Sequence, residues 1–248
     1  MSEQIEGRNP VLEALRAGHP LIKVYLLKNE GSGPVRTIID AARHKGVPIS
    51  YIDSQALDRM AVTRNHQGVI AIAAEWKYAT LDRIFEKATA KNEPPFLVIL
   101  DGVEDPQNLG SIIRTAEAAG VHGLIIPERR AVGLTAAVSR ASAGAIEYLP
   151  VARVTNLTRT IQDLKKAGLW FTGIEMDGKV ELHQADLKGP IGLVLGGEGR
   201  GISRLVAETC DQIVRLPMWG RVNSLNVSVA SGIAFYEVRR VRSLRKGE

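Results

Sequence analysis

Phe96-Leu97-Val98-Ile99-Leu100-Asp101-Gly102-Val103-Glu104-Asp105-Pro106-Gln107-Asn108-Leu109-Gly110-Ser111-Ile112-Ile113-Arg114-Thr115-Ala116 reads as strand, loop and helix in succession. Its first five residues are apolar without a break, the pattern of a strand covered on both faces in a parallel sheet. Gly102 and Pro106 interrupt it, and apolar residues at helical spacing follow. The same grammar returns at residues 124–126, 170–174, 191–195 and 212–216, with helical segments between most of them. Strands alternating with helices predict an α/β fold around a parallel sheet. Open sheets of this kind bind ligands beyond the carboxyl ends of their strands.

Residues 1–75 predict a smaller α/β unit. A helix is expected at 11–17 after Asn9-Pro10, with strands at 23–27, 49–52 and 69–74. Gly31-Ser32-Gly33-Pro34 breaks the chain before a helix at 35–44, and Ser54 is the expected cap of a short helix at 54–60. Residues 76–95 turn polar and mainly helical and end in Pro94-Pro95, which marks them as a linker. Residues 96–248 form the second domain.

The bulk numbers narrow the function. At 45% hydrophobic and 24% charged, the 248 residues have the composition of a globular protein. No apolar run reaches the ~18–20 residues of a membrane span, and the N-terminus lacks a basic region followed by an apolar one, so neither membrane attachment nor secretion is expected. A lone Cys210 makes no internal disulfide, which fits a reducing cytoplasm. One cysteine and five scattered histidines offer no metal-ligand spacing, and no metal is expected. A net charge of +5 favours a polyanionic partner modestly. Arg239, Arg240, Arg242, Arg245 and Lys246 crowd the last ten residues, either as a nucleic-acid contact or as a solvated helix end.

Three strand–loop–helix segments carry the candidate chemistry. In the first, Asn108 stands near the helix start and Arg114 lies inside the helix. Gly110, Arg114 and Ala118 share one stripe, leaving space beside a planar fork suited to phosphate or carboxylate. A surface ion pair of Arg114 with Glu117 or Glu104 is the alternative. In the second, Gly196-Gly197-Glu198-Gly199-Arg200-Gly201, four glycines demand positive φ or close backbone approach. The loop lacks the Lys-Ser/Thr of a P-loop and the final residue of a dinucleotide fingerprint. Glu198 would repel a phosphate, so a cationic or neutral ligand suits it. The third, Asn223-Ser224-Leu225-Asn226-Val227-Ser228-Val229-Ala230, follows Leu216-Pro217-Met218-Trp219-Gly220 and opens a helix expected from 224 to 240. Ser224 is the expected N-cap, whereas Asn226 calls for a bound ligand unless the polar residues are merely solvated.

Asn108-x-Gly110-x-x-x-Arg114-x-Ala116, Gly196-Gly197-Glu198-Gly199-x-Gly201 and Ser224-Leu225-Asn226-Val227-Ser228-Val229-Ala230 together resemble the three motifs of the SpoU/TrmH class of RNA 2'-O-ribose methyltransferases, in order and spacing. Glu6-Gly7-Arg8-Asn9-Pro10-Val11-Leu12-Glu13-Ala14-Leu15 and His66-Gln67-Gly68-Val69 resemble the subgroup that methylates a guanosine of bacterial 23S rRNA. The resemblance implies a trefoil-knotted α/β catalytic domain, an L30e-like RNA-binding domain at residues 1–75, a homodimer, and S-adenosylmethionine as cofactor. It implies that Gly196, Gly197, Leu216, Met218 and Leu225 hold the cofactor, and that Asn108, Arg114, Glu198, Ser224 and Asn226 line the reaction centre. The same chemistry on tRNA is one alternative, and a non-catalytic RNA-binding protein is another.

Overall fold

The computed structural model describes residues 2–28, 33–63 and 65–244. Gly31 and Ser32 of the predicted break, and Arg245 and Lys246 of the basic tail, lie outside them. The chain divides into two units, residues 1–77 with 133–148, and 78–132 with 149–248.

The smaller unit is built on β1 (Ser2–Glu6), α1 (Arg8–Ala17), β2 (Leu21–Leu27), α2 (Pro34–His44), β3 (Ile49–Ile52), α3 (Ser54–Met60) and β4 (Val69–Ala74). Its four strands run in the order β1-β4-β2-β3, with β4 antiparallel to both neighbours and β2 parallel to β3. Amphipathic helices cover the sheet, and Val11, Leu15, Val35 and Ile38 point into a core with Ile5, Val24, Leu26 and Ile70. The cap of α3 is Asp53, whose carboxylate accepts from the Ala56 amide at 2.8 Å, and not Ser54. An ionised acceptor one residue earlier reaches the orphan amide better than the hydroxyl.

The larger unit opens with α4 (Leu81–Ala90), a helix where the mainly helical linker was expected, which buries Ile84 and Ala88 and so packs as part of this unit. The chain continues through β5 (Phe96–Asp101), α5 (Pro106–Ala118) and β6 (Gly123–Pro127). It then lends α6 (Ala136–Ala141) to the smaller unit. Back in the larger unit come β7 (Val151–Val154), α7 (Leu157–Lys166), β8 (Trp170–Ile174), β9 (Val180–Glu181), β10 (Ile191–Gly196), α8 (Arg204–Thr209), β11 (Gln212–Arg215) and α9 (Val227–Leu244). The strands form one parallel sheet ordered β7-β6-β5-β10-β8-β11-β9. The unbroken apolar strands are buried as expected: Phe96 through Leu100 and Ile191 through Leu195 are at most 2% exposed.

α9 starts at Val227, three residues later than expected, and packs on α5. Phe235 meets Phe96 edge to face, with ring centroids 6.2 Å apart. Part of the basic tail is structural. Arg239 donates to the Ala119 and Gly120 carbonyls and pairs with Glu93 at 2.8 Å. Arg242 donates to the Pro94, Pro95 and Gly189 carbonyls. Burial, with Arg239 alongside, lowers its guanidinium to about 10. Arg240 is bidentate to Glu237 on its own helix. Arg239 and Arg242 tie the helix end to carbonyls at the amino ends of the sheet rather than fraying into solvent. No described helix is long and apolar enough to cross a membrane.

Candidate active site

Three strands of the parallel sheet end at one place. β8 delivers Ile174 and Glu175, β10 delivers Leu195 and Gly196, and Leu216 follows β11. Beyond these carboxyl ends lies a cleft of about 490 Å³, closed on its other side by residues 223–227 and Ala230.

Its floor needs glycine. A Cβ on Gly196 would collide with the Gly201 carbonyl group, and one on Gly197 with the Gly102 carbonyl oxygen. Gly199 and Gly201 have φ of 79° and 63°, the left-handed region that glycine enters without steric cost. The turn is fastened by Gly201 N donating to Gly197 O at 3.2 Å and Gly197 N donating to Asp101 O at 2.8 Å. Two carboxylates hold its far side. Asp101 Oδ2 accepts from Ser203 N at 2.8 Å, and Glu175 Oε1 accepts from Ile202 N. Burial pushes the Glu175 carboxyl up, partly offset by that amide.

Asn108 on α5, Glu198 on the glycine loop and Asn226 before α9 meet in one cluster. Asn226 Nδ2 donates to Glu198 Oε1 at 2.6 Å and to Asn108 Oδ1 at 2.9 Å, and Asn108 Nδ2 donates to Glu198 Oε1 at 3.1 Å. Asn226 Oδ1 accepts from the amide and the hydroxyl of Ser228, at 2.9 and 2.6 Å. Asn226 is therefore the cap of α9, a role expected of Ser224. Ser224 lies two residues upstream and lines the cleft instead. Asn226 thus has two uses, since its nitrogen serves the cluster while its oxygen starts the helix.

Nine of the ten expected site residues come to this region. Gly196, Gly197, Leu216, Met218, Leu225, Glu198, Ser224 and Asn226 line the cleft. Asn108 joins through its bonds to Glu198 and Asn226. Arg114 does not. It is exposed on α5, lines neither this cleft nor its neighbour, and makes no hydrogen bond or ion pair among the described residues. The surface pair with Glu117 or Glu104 is absent there too, and Gly110 of the supposed stripe is buried in the helix packing. Sequence reading assigned no role to Asp101 or Glu175. Each is the polar residue at or just after the carboxyl end of an apolar strand, which is the signal that would have found them.

A second cavity of about 420 Å³ adjoins the first, sharing Gly197, Glu198, Arg200, Gly201 and Val227 and adding the 101–105 loop, Asn108 and Arg130. No group of described His, Cys, Asp or Glu residues could hold a metal ion. The first cleft combines a backbone cradle, the apolar walls of Leu195, Leu216, Met218 and Leu225, and two carboxylates, Glu175 and Glu198. That donor set fits a mixed apolar and cationic small molecule and does not fit a free phosphate.

A parallel sheet with glycine loops at its carboxyl ends and an Asn–Glu–Asn cluster beside a small-molecule cleft defines an RNA-modifying methyltransferase once the relatives are considered. Residues 95–236 match the SpoU rRNA Methylase family, and residues 4–79 match the RNA 2'-O ribose methyltransferase substrate binding family. The chain belongs to the SpoU/TrmH family of RNA 2'-O-methyltransferases. A Bacillus subtilis (strain 168) protein named as TrmH family tRNA/rRNA methyltransferase YacO is 48% identical over 98% of both chains. The SpoU methyltransferase AviRb from Streptomyces viridochromogenes, solved with AdoMet, superposes with a TM-score of 0.81 at 26% identity, covering 98% of this chain and 91% of that one. An AdoMet-bound rRNA methyltransferase from Sinorhizobium meliloti gives 0.78 at 28% identity, over 96% and 87%.

Proposed function

We propose that this protein methylates the 2'-hydroxyl of a guanosine ribose in 23S rRNA, in the cytoplasm and as a homodimer. S-adenosylmethionine is the methyl donor, and when bound it supplies a methyl group activated by the sulfonium charge. The observation that carries the reading is the Asn108–Glu198–Asn226 cluster standing between two adjoining cavities. A protein that only bound RNA would have no use for a carboxylate held by two side-chain amides beside a glycine-floored cleft.

The residues divide the work. Gly196 and Gly197 let backbone close on the cofactor, and Leu216, Met218 and Leu225 exclude water around it. Asn108 and Asn226 fix Glu198 Oε1, which leaves Oε2, without a hydrogen bond among the described residues, to accept from the ribose hydroxyl. Ser224 adds a hydroxyl at the same wall. Arg114 positions the substrate phosphate. A guanidinium keeps its proton at neutral pH, so charge stabilisation suits it better than proton abstraction.

Two features of α9 and α5 support the dimer. Val229, Ile233 and Tyr236 form a stripe at helical spacing, each about half exposed, and Arg114 makes no hydrogen bond or ion pair among the described residues. A second copy seated on that stripe would bring a side chain such as Arg114 to a neighbouring site. The order of the sheet, with β10 between β5 and β8, is consistent with the family's trefoil knot, and residues 1–75 with an L30e-like RNA-binding role. The lone, half-buried Cys210 suits a reducing compartment.

The test is transfer of labelled methyl from S-adenosylmethionine to unmodified 23S rRNA and, separately, to tRNA, followed by nucleoside analysis. The expected product is 2'-O-methylguanosine in the rRNA. Label in tRNA alone would move the substrate. No label in either, with no cofactor binding by calorimetry, would sink the enzyme. Mixing inactive Arg114→Ala with inactive Asn226→Ala protein tests the dimer, because an Arg114 supplied across subunits restores part of the activity.

A further inference from the structure

The second cavity has an inventory of its own. Of its carboxylates, Asp101 holds the Ser203 amide, Asp105 Oδ2 caps α5 by accepting from Asn108 N at 2.8 Å, and Glu198 belongs to the amide cluster. Three charged side chains on its lining stay unspent. Glu104, Arg130 and Arg200 are exposed and make no hydrogen bond or ion pair among the described residues. Arg200 and Glu198 line both cavities, so a ligand in the second abuts one in the first.

Resting on the methyltransferase reading, we propose that this cavity seats the target nucleotide with its base unstacked, and that Glu104 reads the base as guanine. A 2'-hydroxyl placed at Glu198 has its own base and phosphates to accommodate on the side away from the cofactor. At about 420 Å³ the cavity lies within the range of small-ligand sites. Single-stranded RNA bases are read on their Watson–Crick edges. Guanine alone among the four presents two adjacent donors there, N1–H and the N2 amino group. Adenine and cytosine pair a donor with an acceptor, and uracil places one donor between two acceptors. A carboxylate offers two acceptors and no donor, which matches guanine and opposes the rest. Arg130 and Arg200 then face the flanking phosphates, where a carboxylate would repel.

The test compares wild type with Glu104→Gln and Arg130→Ala on unmodified 23S rRNA. A mapped rRNA fragment carrying inosine at the target, which lacks only the N2 amino group, completes the set. Glu104→Gln turns one acceptor into a donor aimed at a donor. Its kcat/KM on the guanosine RNA should fall about ten- to hundredfold. Wild type should lose about tenfold on the inosine fragment, and Glu104→Gln should lose much less on the same change. Calorimetric affinity for S-adenosylmethionine should match wild type, and Arg130→Ala should raise KM with little effect on kcat. Wild-type kcat/KM for Glu104→Gln, an unchanged inosine penalty in that variant, or label in a nucleoside other than 2'-O-methylguanosine would overturn the proposal and leave the methyltransferase standing. No label from wild type in any RNA would remove the underlying reading and this one with it.

Discussion

Asn226 shows how one side chain can be both fold and site. Its oxygen starts α9 through Ser228 while its nitrogen fixes Glu198 and Asn108. Asn226→Ala should therefore cost about 1 kcal/mol of stability from the lost cap. Turnover should fall much further, by about a hundredfold, as a preorganised donor is removed. Denaturant unfolding and single-turnover methylation separate the two effects. Gly196→Ala should be harsher, because the new methyl meets backbone and nothing flexible can yield. A loss of about 1–3 kcal/mol and at least tenfold in S-adenosylmethionine affinity is the expected outcome. Leu216, Met218 and Leu225 came only from the resemblance and Asp101 and Glu175 went unread, whereas Asn108, Glu198, Asn226 and the loop glycines were legible in the sequence as odd polar and glycine positions. That Asn108, Glu198 and Asn226 touch was not, because they are far apart in the chain and only the sheet order brings them together. Ser224 and Ser54 misled for the opposite reason. Each is a good capping residue by type, and in each case a neighbour, Asn226 or Asp53, has the geometry.

At the scale of elements, the apolar strands were read nearly to the residue, since burial on both faces leaves an unbroken signature. β1 escaped notice because Ser2-Glu3-Gln4-Ile5-Glu6 is polar and only one of its side chains is large and apolar. β9 has two residues and no pattern to find. α9 was legible as a helix, yet its basic end was open to two readings, and the structure spends Arg239 and Arg242 on carbonyls at the strand starts. Arg239→Met should remove the guanidinium that serves the Ala119 and Gly120 carbonyls and pairs with Glu93. Because the guanidinium is 26% exposed and water can partly replace it, a loss of about 2 kcal/mol is expected by denaturant unfolding. Affinity for S-adenosylmethionine, whose proposed cleft lies at the other end of the sheet, should stay within twofold.

Over the whole molecule, two buried histidines set the pH response in opposite directions. His122 is inaccessible, and its Nδ1 accepts from Phe96 N at 3.0 Å. Burial foremost, with Arg239 and Arg242 nearby, lowers it to about 4 despite Glu93. The unfolded chain thus takes up this proton first, and stability falls as pH drops below about 6.5, by up to roughly 3 kcal/mol once pH passes 4. His122→Asn, which keeps an acceptor for Phe96 N, should flatten that decline in denaturant midpoints measured between pH 7 and 4.5. His19 works the other way in the smaller unit. Burial opposes its charge, yet the Glu147 carboxylate at 3.2 Å and the Ala74 carbonyl outweigh this and raise its pKa. Its contribution is complete below about 6.5 and fades as pH rises through the raised value. The position of β10 bears on how the protein is made. That strand joins β5 to β8 at the middle of the sheet, although it is translated long after β5, and the last wall of the first cleft comes from residues 223–230. A nascent chain still on the ribosome can complete neither sheet nor cleft until residues 223–230 have emerged. Synthesis itself therefore keeps the site unassembled until residue 230 has left the ribosome.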